Sequence, residues 1–258
     1  MNKDKLLTIF DREQRIDIEI PGLVHEVTDQ VVRDYDPLEK FNFISYSSLD
    51  VQTADAEIEA QVAYHQERGI PLTWKVYDHD QPADLRQRLE KHGFIIAEPE
   101  ALVVLDVEEA PDWYWSLDLP ANLVKITDAA GVAEVTRMEE DVWQGPRDRL
   151  RERLTRNLET MPDRMDMFAI YEDGRVVSAA WVYYHPPTHF ASFWGGSTLP
   201  GYRKRGYYTA LLAVRARAAR QRGFRFLTVD ASPMSRPILE KHGFQFLGFS
   251  TDCDWKPE

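Results

Sequence analysis

The chain has 258 residues, of which 31 are Lys or Arg and 43 are Asp or Glu, so its formal net charge is −12. This acidic balance argues against general nucleic-acid binding, which needs an extended cationic face. Hydrophobic residues form 43% of the sequence, which is enough for a sizeable core and argues against global disorder. The single cysteine, Cys253, excludes an internal disulfide and a cysteine-based metal site, and we expect no metal.

The first fourteen residues contain no apolar segment of the kind found in signal peptides. No stretch of the chain approaches the ~18 apolar residues of a membrane-spanning helix. We therefore expect a cytoplasmic protein without a membrane partner.

Hydrophobic patterning divides the first half into short elements of a mixed α/β fold. The predicted order is a helix (6–14), three strands (24–27, 31–35 and 41–46), a helix (54–68), a strand (72–77), a helix (82–92) and a strand (101–107). Pro99, Pro111 and Pro120 then punctuate a link between two halves. The apolar segment 113–115 in that link is predicted to pack the halves together rather than to bind a ligand.

The second half begins with a predicted strand (123–127), two helices (129–141 and 147–159), a hairpin of two strands (166–171 and 175–184) and a further strand (190–198). Gly195 and Gly196 lie inside this last strand, where glycine often marks a bulge or the close approach of a ligand. A helix from Tyr208 to a stop at Gly223, a strand (226–229), a late helix and two terminal strands (245–249 and 251–255) complete the chain.

The stretch 202–228 contains eight Arg or Lys residues and no acidic residue, although the whole chain is acidic. Three of these cations, residues 203–205, precede the helix and oppose the positive end of its dipole, which costs stability unless an anion binds. Gly206 permits a tight turn, and helix N-termini bind anions through free N–H groups. The pattern predicts a ligand with several phosphates, and a Walker P-loop is excluded because no Gly-Lys-Ser/Thr follows.

The segment 203–208 resembles the acetyl-CoA pyrophosphate loop of the GNAT superfamily of N-acetyltransferases. The flanking segments 195–200 and 238–244 resemble that family's splayed strand and late helix, so the resemblance covers about 120–258. It implies an α/β (α+β) fold, a GNAT-type mixed and mostly antiparallel twisted sheet flanked by helices, and acetyl-CoA as co-substrate. The cofactor-binding residues that it implies are Ser197, Thr198, Leu199, Arg203, Lys204, Arg205, Gly206, Tyr207, Tyr208 and Thr209.

Two positions depart from the family's pattern. Tyr208 stands where the loop usually has Gly or Ala, so its ring is expected to point away from the phosphates or to stack beside them. Leu239 replaces a tyrosine that protonates the departing thiolate in many members, which leaves the usual general acid missing. Ser235, one helical turn earlier, is a candidate relay through water.

Catalytic candidates follow from where the family binds its acceptor. Glu139, Glu140 and Asp141 border that site and are candidate bases, as is Asp230 at a strand end; the alternatives are solvated helix acids or a helix cap. We select Glu140, Asp230 and Ser235 as the predicted catalytic residues. Four aromatic residues are expected to divide about equally between the acceptor cleft and the core. They are Trp143, Trp181, Tyr183 and Trp194.

The chain also repeats itself. Residues 89–94 and 239–244 are identical, with an offset of 239 − 89 = 150, and Gln66-Glu67-Arg68-Gly69 parallels 220–223, with an offset of 223 − 69 = 154. These matches predict a tandem arrangement: a truncated, degenerate copy (1–118) followed by a complete catalytic copy (119–258). The basic turn, shifted back by 154, becomes Leu49-Asp50-Val51-Gln52, so the first copy is predicted to have lost cofactor binding.

The sequence therefore favours an N-acetyltransferase that moves an acetyl group from acetyl-CoA to a primary amine of a small molecule or peptide. A non-catalytic CoA-binding or interaction module is the alternative, because Leu239 and the absence of an obvious base weaken the enzymatic interpretation. A longer acyl chain also remains open. The expected assembly is a monomer whose halves form a pseudo-dimer, or a homodimer.

Overall fold

The structure, a computed structural model, describes residues 1–36 and 41–257. These residues form twelve β-strands and eight α-helices. They divide into two compact units, one made of 1–104 and 230–258 and the other of 105–229.

The first unit is built on a mixed sheet in the order β1-β2-β3-β4-β12-β6, with the short β5 also on β12. Its α-helices and strands, in chain order, are α1 (Lys3–Phe10), β1 (Val24–Val27), β2 (Val31–Asp36), β3 (Phe41–Ser47), α2 (Ala54–Arg68), β4 (Leu72–Tyr77), α3 (Leu85–Lys91), β5 (Ile95–Ile96), β6 (Glu100–Asp106), α8 (Arg236–Lys241) and β12 (Gln245–Trp255). β3 and β4 are parallel, and the other pairs given for this unit are antiparallel.

The core of the first unit lies on one face of this sheet. In β4, alternate residues Leu72, Trp74 and Val76 are buried, as the period of two in a half-buried strand requires. They belong to the same apolar cluster as Ile58 of α2 and Leu89 of α3. The helices thus cover the apolar side of the sheet.

The second unit has the strand order β11-β10-β9-β8-β7, in which only the β10–β11 pair is parallel among the described pairs. Its elements are α4 (Trp113–Ser116), β7 (Leu123–Ile126), α5 (Ala129–Trp143), α6 (Asp148–Thr160), β8 (Met165–Glu172), β9 (Arg175–Tyr184), β10 (Phe190–Thr198), α7 (Tyr207–Gln221) and β11 (Phe226–Ala231). Both β8 and β9 are almost wholly buried. The predicted hairpin around residues 172–174 is confirmed, with β8 paired to β9 up to Glu172 and Arg175.

Strand register supports the predicted duplication. In the first unit, β3 and β4 pair in parallel with Asn42 opposite Leu72; in the second, β10 and β11 pair with Phe190 opposite Phe226. The second strands of these pairs are offset by 226 − 72 = 154, the same offset as the helix ends in the sequence. Each parallel pair extends over three register positions and then ends. The mixed, mostly antiparallel fold predicted from the sequence is confirmed.

Some elements differ from the predictions. The two predicted terminal strands are one strand, β12, which continues through Ser250, where it pairs with Tyr77 and Glu100; its register with β6 shifts between Phe246 and Gly248. The predicted first helix is α1 followed by a π-helical segment, Asp11–Ile16. The short elements α4 and β5 were not predicted, because two to four residues give no measurable periodicity.

The packing units do not coincide with the predicted repeat boundary after residue 118. The last strand, β12, pairs with β4 and β6 in the first unit, while the linking segment packs within the second. There, Arg217 of α7 donates to the carbonyl oxygens of Tyr114 and Leu117, each at 2.6 Å. The boundary between the two copies remains a prediction about the repeat, and so does a role for 113–115 in joining them.

Membrane-spanning helices and metal-binding clusters are both absent from the described residues. None of the helices there combines the length and apolarity required to cross a membrane. Residues 1–36 and 41–257 also contain no group of His, Cys, Asp and Glu side chains arranged to hold a metal ion.

Candidate active site

The basic turn between β10 and α7 has an unusual backbone. Lys204 and Gly206 both have positive φ angles, +64° and +82°. Gly206 adopts this region without strain, whereas it is uncommon for a lysine. Two arginine side chains brace the turn: Arg203 Nε donates to the Thr198 carbonyl at 3.1 Å, and Arg205 Nη2 donates to the Gly201 carbonyl at 3.3 Å. The turn is therefore ordered by its own contacts, and its cations remain exposed.

The main-chain N–H groups of residues 204–209 donate to no acceptor among the described residues. The first N–H of α7 that is bonded belongs to Ala210, which donates to the Gly206 carbonyl at 2.9 Å. Six successive free donors at the positive end of a 15-residue helix form a site for an anion. The sequence prediction required free amides here, and the structure contains them.

β10 separates from its neighbours just before this turn. It pairs with β11 only through Ser192, and its register with β9 shifts between Trp194 and Ser197. The predicted bulge is thus confirmed at Gly195 and Gly196, which have no register partner in β9. From Phe193 onward, the edge of β10 that faces β11 is unpaired, which leaves a strand edge for an extended ligand.

Gly195 is required at the bulge for two reasons. Its φ is +63°, and a Cβ built there would lie 1.9 Å from the ring of Trp181. At Gly196, a Cβ would lie 2.9 Å from ring carbon Cε2 of Tyr208. Tyr208 therefore turns its ring towards the bulge and away from the basic turn, as one of its two predicted orientations required.

A buried cation stands behind the bulge. Arg215 of α7 is 2% exposed and donates to the carbonyl oxygens of Leu211, Trp181 and Trp194 at 2.9, 3.3 and 3.4 Å. It has no ion-pair partner among the described residues. Burial lowers the pKa of Arg215 to about 10, so it is still charged at neutral pH. In the sequence Arg215 is one cation of a basic helix, and its buried position was not predicted because helical Arg is usually solvated.

The predicted cofactor residues upstream of the turn are partly engaged by the protein. The Leu199 N–H donates to the Val177 carbonyl at 2.9 Å, so this amide is not available to a ligand. The Ser197 carbonyl accepts from Ser178 Oγ at 2.8 Å, and Thr198 Oγ1 lies 2.8 Å from the same hydroxyl. In the turn itself, Tyr207 donates its hydroxyl to Glu172. Free main-chain donors are thus concentrated in residues 204–209.

The three candidate acids of α5 have different surroundings. Glu139 is 3% exposed, and its Oε1 is fully buried without a hydrogen-bond partner among the described residues. Burial raises the pKa of Glu139, opposed by hydrogen bonds with Ser197 and Trp143. Glu140, which the sequence analysis preferred, accepts the N–H of Arg147 at 3.3 Å and so caps the next helix. Asp141 is exposed. The structure therefore favours Glu139.

Glu139 lies beside Ser197, which is the residue that directly follows the bulge at Gly195 and Gly196. Trp143 Nε1 donates to Ser197 Oγ at 3.3 Å, which connects the end of α5 to β10. Trp143 and Trp194 are each about half exposed, whereas Trp181 is buried. Tyr183 is partly buried and accepts from Asn157 at 2.8 Å. The burial of Trp181 agrees with the predicted share in the core, and an acceptor cleft lined by the more exposed rings stays a prediction.

The other two predicted catalytic residues, Asp230 and Ser235, lie in the first unit. Asp230 accepts a hydrogen bond from Lys75 Nζ at 2.5 Å, and Ser250 Oγ lies 3.4 Å from it. Ser235 is the N-cap residue of α8 and bonds to Ser232. Both are therefore engaged in local contacts of that unit, and their catalytic roles stay predictions.

In the corresponding turn of the first unit, a side chain of the turn itself accepts the main-chain N–H groups. Asp50 Oδ1 accepts the N–H groups of Gln52 and Thr53, each at 2.8 Å, just before α2. These hydrogen bonds lower the pKa of Asp50. A side-chain carboxylate thus accepts two N–H groups just before α2, and the loss of cofactor binding by this copy stays a prediction.

Residues 132–244 match the model of the acetyltransferase (GNAT) family. This matched segment, in the C-terminal half of the chain, is similar to GNAT acetyltransferases. A search of curated proteins gives no match for the chain.

Solved structures of GNAT proteins share the fold of the whole chain. A GCN5-related N-acetyltransferase from Kribbella flavida has a TM-score of 0.67 at 13% identity, covering 99% of this chain and 94% of that one. A tandem GNAT protein from the clavulanic acid biosynthesis pathway has a TM-score of 0.63 at 14% identity, covering 93% and 85%. A conserved protein of unknown function from Staphylococcus epidermidis has a TM-score of 0.66 at 11% identity, covering 98% and 100%. At these identities the likeness shows the fold alone.

The free amides of the GNAT half fit the group that the family uses. Acetyl-CoA carries a diphosphate, and the turn offers free N–H donors, the positive end of α7 and the exposed cations Arg203, Lys204 and Arg205. The edge of β10 beyond Ser192 is unpaired and can take the extended pantetheine arm.

Proposed function

We propose that this chain transfers an acetyl group from acetyl-CoA to a primary amine. The observation that carries the proposal is the row of unbonded N–H groups at residues 204–209, preceded by three cations. Without a bound anion, the three cations lower the stability of the turn, because they oppose the positive end of the helix dipole. A bound diphosphate removes that cost, and similarity to the GNAT family supports acetyl-CoA as its source.

In this proposal Glu139 is the general base. The amine must be neutral to attack a thioester, so its proton needs an acceptor near the bulge. Burial raises the pKa of Glu139, which brings it closer to neutral pH and makes the carboxylate a better proton acceptor. Ser197 and Trp143 lie close enough to the carboxylate to lower its pKa against the effect of burial, while Oε1 has no partner among the described residues. Main-chain N–H groups at Gly195 and Gly196 are candidates to stabilise the developing oxyanion.

The alternative is a module that binds CoA without turnover. It is favoured by Leu239, whose side chain is fully buried and which replaces the family's proton donor. It is also supported by the turn at Asp50, where a side-chain carboxylate accepts main-chain N–H groups, as proposed for a copy without cofactor binding.

Acetyl-CoA binding is tested by calorimetry on the wild type and on the double variant Arg203→Glu, Arg205→Glu. Each substitution removes a cation and adds an anion beside the diphosphate, so we expect affinity to fall at least ~100-fold. The control is Arg149→Glu with Arg153→Glu, which makes the same charge change on exposed positions of α6. Equal affinities in all three proteins would show that the turn is not the binding site.

Turnover is tested by CoA release in a broad screen of primary amines. Acceleration by at least one amine supports transfer. Binding of acetyl-CoA with slow hydrolysis that no amine accelerates would favour the binding module instead.

A further inference from the structure

Tyr208 departs from the GNAT pattern at a position where the family has Gly or Ala, and its side chain is directed at the bulge. A Cβ built on Gly196 would lie 2.9 Å from Tyr208 Cε2. The ring thus packs against the main chain of β10, beside the point where β10 leaves its register with β9. The turn needs no aromatic ring to form, so the ring's position invites a functional explanation.

The Tyr208 hydroxyl is unengaged. It makes no hydrogen bond with any described residue and is not fully enclosed. Its neighbour differs, because Tyr207 donates its hydroxyl to Glu172. Phenols of mostly buried rings normally find a partner. A free phenol at the bulge is available to a bound substrate.

Two other groups interact electrostatically with Tyr208. Arg215 lies seven residues further along the same helix, α7, and Tyr114 lies on α4. Burial raises the pKa of Tyr208, and the Arg215 cation acts in the opposite direction. Tyr208 therefore carries its proton at neutral pH, and Arg215 stabilises the phenolate that forms when this proton leaves.

Thioester aminolysis needs a proton at sulfur. A thiol has a pKa of ~8.5, and its thiolate departs more readily when a positioned acid protonates the sulfur. Leu239 is apolar and fully buried, so it cannot be that acid. Resting on the acetyltransferase function proposed above, we propose that Tyr208 is the catalytic acid that donates its phenolic proton to the sulfur of CoA.

The proposed step balances as follows. The amine nitrogen bonds to the acetyl carbon, the carbon–sulfur bond breaks, and its electron pair stays on sulfur. Tyr208 gives its proton to that sulfur, and Glu139 takes the proton lost by the amine. Tyr208 is then reprotonated at the expense of Glu139 through solvent, so the products are an N-acetyl amine and free CoA.

The test compares Tyr208→Phe with Tyr171→Phe. The first removes the unengaged hydroxyl and keeps the ring against Gly196, and the second removes a hydroxyl that donates to Glu134, outside the predicted cofactor-binding residues. CoA release from acetyl-CoA is measured without amine and with the best amine of the screen, alongside acetyl-CoA affinity by calorimetry. We expect Tyr208→Phe to lower the rate at saturating acetyl-CoA ~100-fold with little change in affinity. Tyr171→Phe is expected to change the rate less than ~3-fold, because that hydroxyl is outside the step.

Each other outcome is decisive. An unchanged rate in Tyr208→Phe overturns the role of Tyr208 and leaves the acetyltransferase function intact. A loss of affinity equal to the loss of rate shows that Tyr208 serves binding, which also overturns it. Wild-type protein that binds no acetyl-CoA defeats the proposed function itself. Wild type that binds it but releases no CoA in any condition leaves Tyr208 no step to catalyse and overturns the proposal too.

Discussion

Asp50 and Lys204 are 154 residues apart and lie at corresponding positions of the two copies of the fold. The main-chain N–H groups beside Asp50 are hydrogen-bonded, whereas those beside Lys204 are not. Asp50 folds its carboxylate back onto the N–H groups of Gln52 and Thr53 at 2.8 Å. Lys204, with φ +64°, leaves its own N–H and the next five unbonded. In the first copy a side-chain carboxylate accepts the N–H groups, whereas in the second copy the N–H groups are available to an external anion.

One acetyl-CoA per chain is therefore expected by calorimetry. The variant Asp50→Ala uncovers two amides in the first copy but supplies no cation there, so it too is expected to bind one. A stoichiometry of two in either protein would contradict the account of the first copy.

The Asp50 contacts also predict a pH dependence. Hydrogen bonds from Thr53 and Gln52 lower the pKa of Asp50 in the folded protein. A carboxyl with a depressed folded pKa contributes stability that is present above its unfolded pKa of about 3.9 and is lost as pH falls through the folded pKa. The difference in unfolding free energy between wild type and Asp50→Ala is expected to shrink on acidification from pH 6 to pH 3. A difference independent of pH would show that these contacts do not stabilise the turn.

The bulge depends on the absence of a side chain at Gly195. Gly195→Ala places a Cβ 1.9 Å from the Trp181 ring at a positive φ, so we expect a loss of about 2–4 kcal/mol in unfolding free energy. Gly201→Ala is the matched control, because a Cβ there meets nothing within 4 Å and φ is not positive. Denaturant titration measures both. Equal stabilities would mean that the Trp181 ring moves aside freely.

Glu139 and Glu140 are adjacent, but only Glu139 is proposed as the general base. Glu139→Gln is expected to lower the rate of amine acetylation ~100-fold, because it removes the proton acceptor. Glu140→Gln keeps a side-chain oxygen for the Arg147 N–H and is expected to change the rate less than ~3-fold. A larger loss in Glu140→Gln than in Glu139→Gln would restore the sequence-based choice.

The stability of Glu139→Gln gives a second, independent check. Because burial raises the folded pKa of Glu139, its contribution is fully present below the unfolded pKa of about 4.3 and is lost as pH rises through the folded pKa. Glu139→Gln is therefore expected to gain stability relative to wild type as pH rises from 4 to 7. The opposite trend would show that the carboxylate is stabilised in its charged form.

Restoring the family's tyrosine at position 239 is not expected to restore an acid. Leu239 is fully buried in the first unit, so Leu239→Tyr overpacks the core and is expected to cost about 1–3 kcal/mol. Unchanged stability together with faster CoA release would contradict this view of α8 and weaken the role of Tyr208.

The sequence predicted the parts of the site that depend on local chemistry. The positive-φ turn follows from Gly206 and its charged neighbours, and the bulge follows from adjacent glycines in an apolar strand. The repeat was also visible in the sequence, because two helix ends recur at offsets of 150 and 154, and in each copy the structure has a parallel strand pair of three register positions.

Long-range packing was beyond the sequence. Glu139 and Glu140 are both helical acids, and only their burial against Ser197 distinguishes them. Arg215 reads as a solvated helix residue until its bonds to strand carbonyls are known. The two predicted terminal strands form one long β12, because Ser250, the residue between them, pairs with Tyr77 of β4 and Glu100 of β6.

Amide hydrogen exchange with and without CoA tests the central claim most directly, because it reads the N–H groups themselves. In the free protein the amides of residues 204–209 are expected to exchange rapidly, since none is bonded among the described residues. Added CoA is expected to protect them, while the amides of Gln52 and Thr53, already bonded to Asp50, stay unchanged. CoA binding that leaves residues 204–209 unprotected would contradict the account.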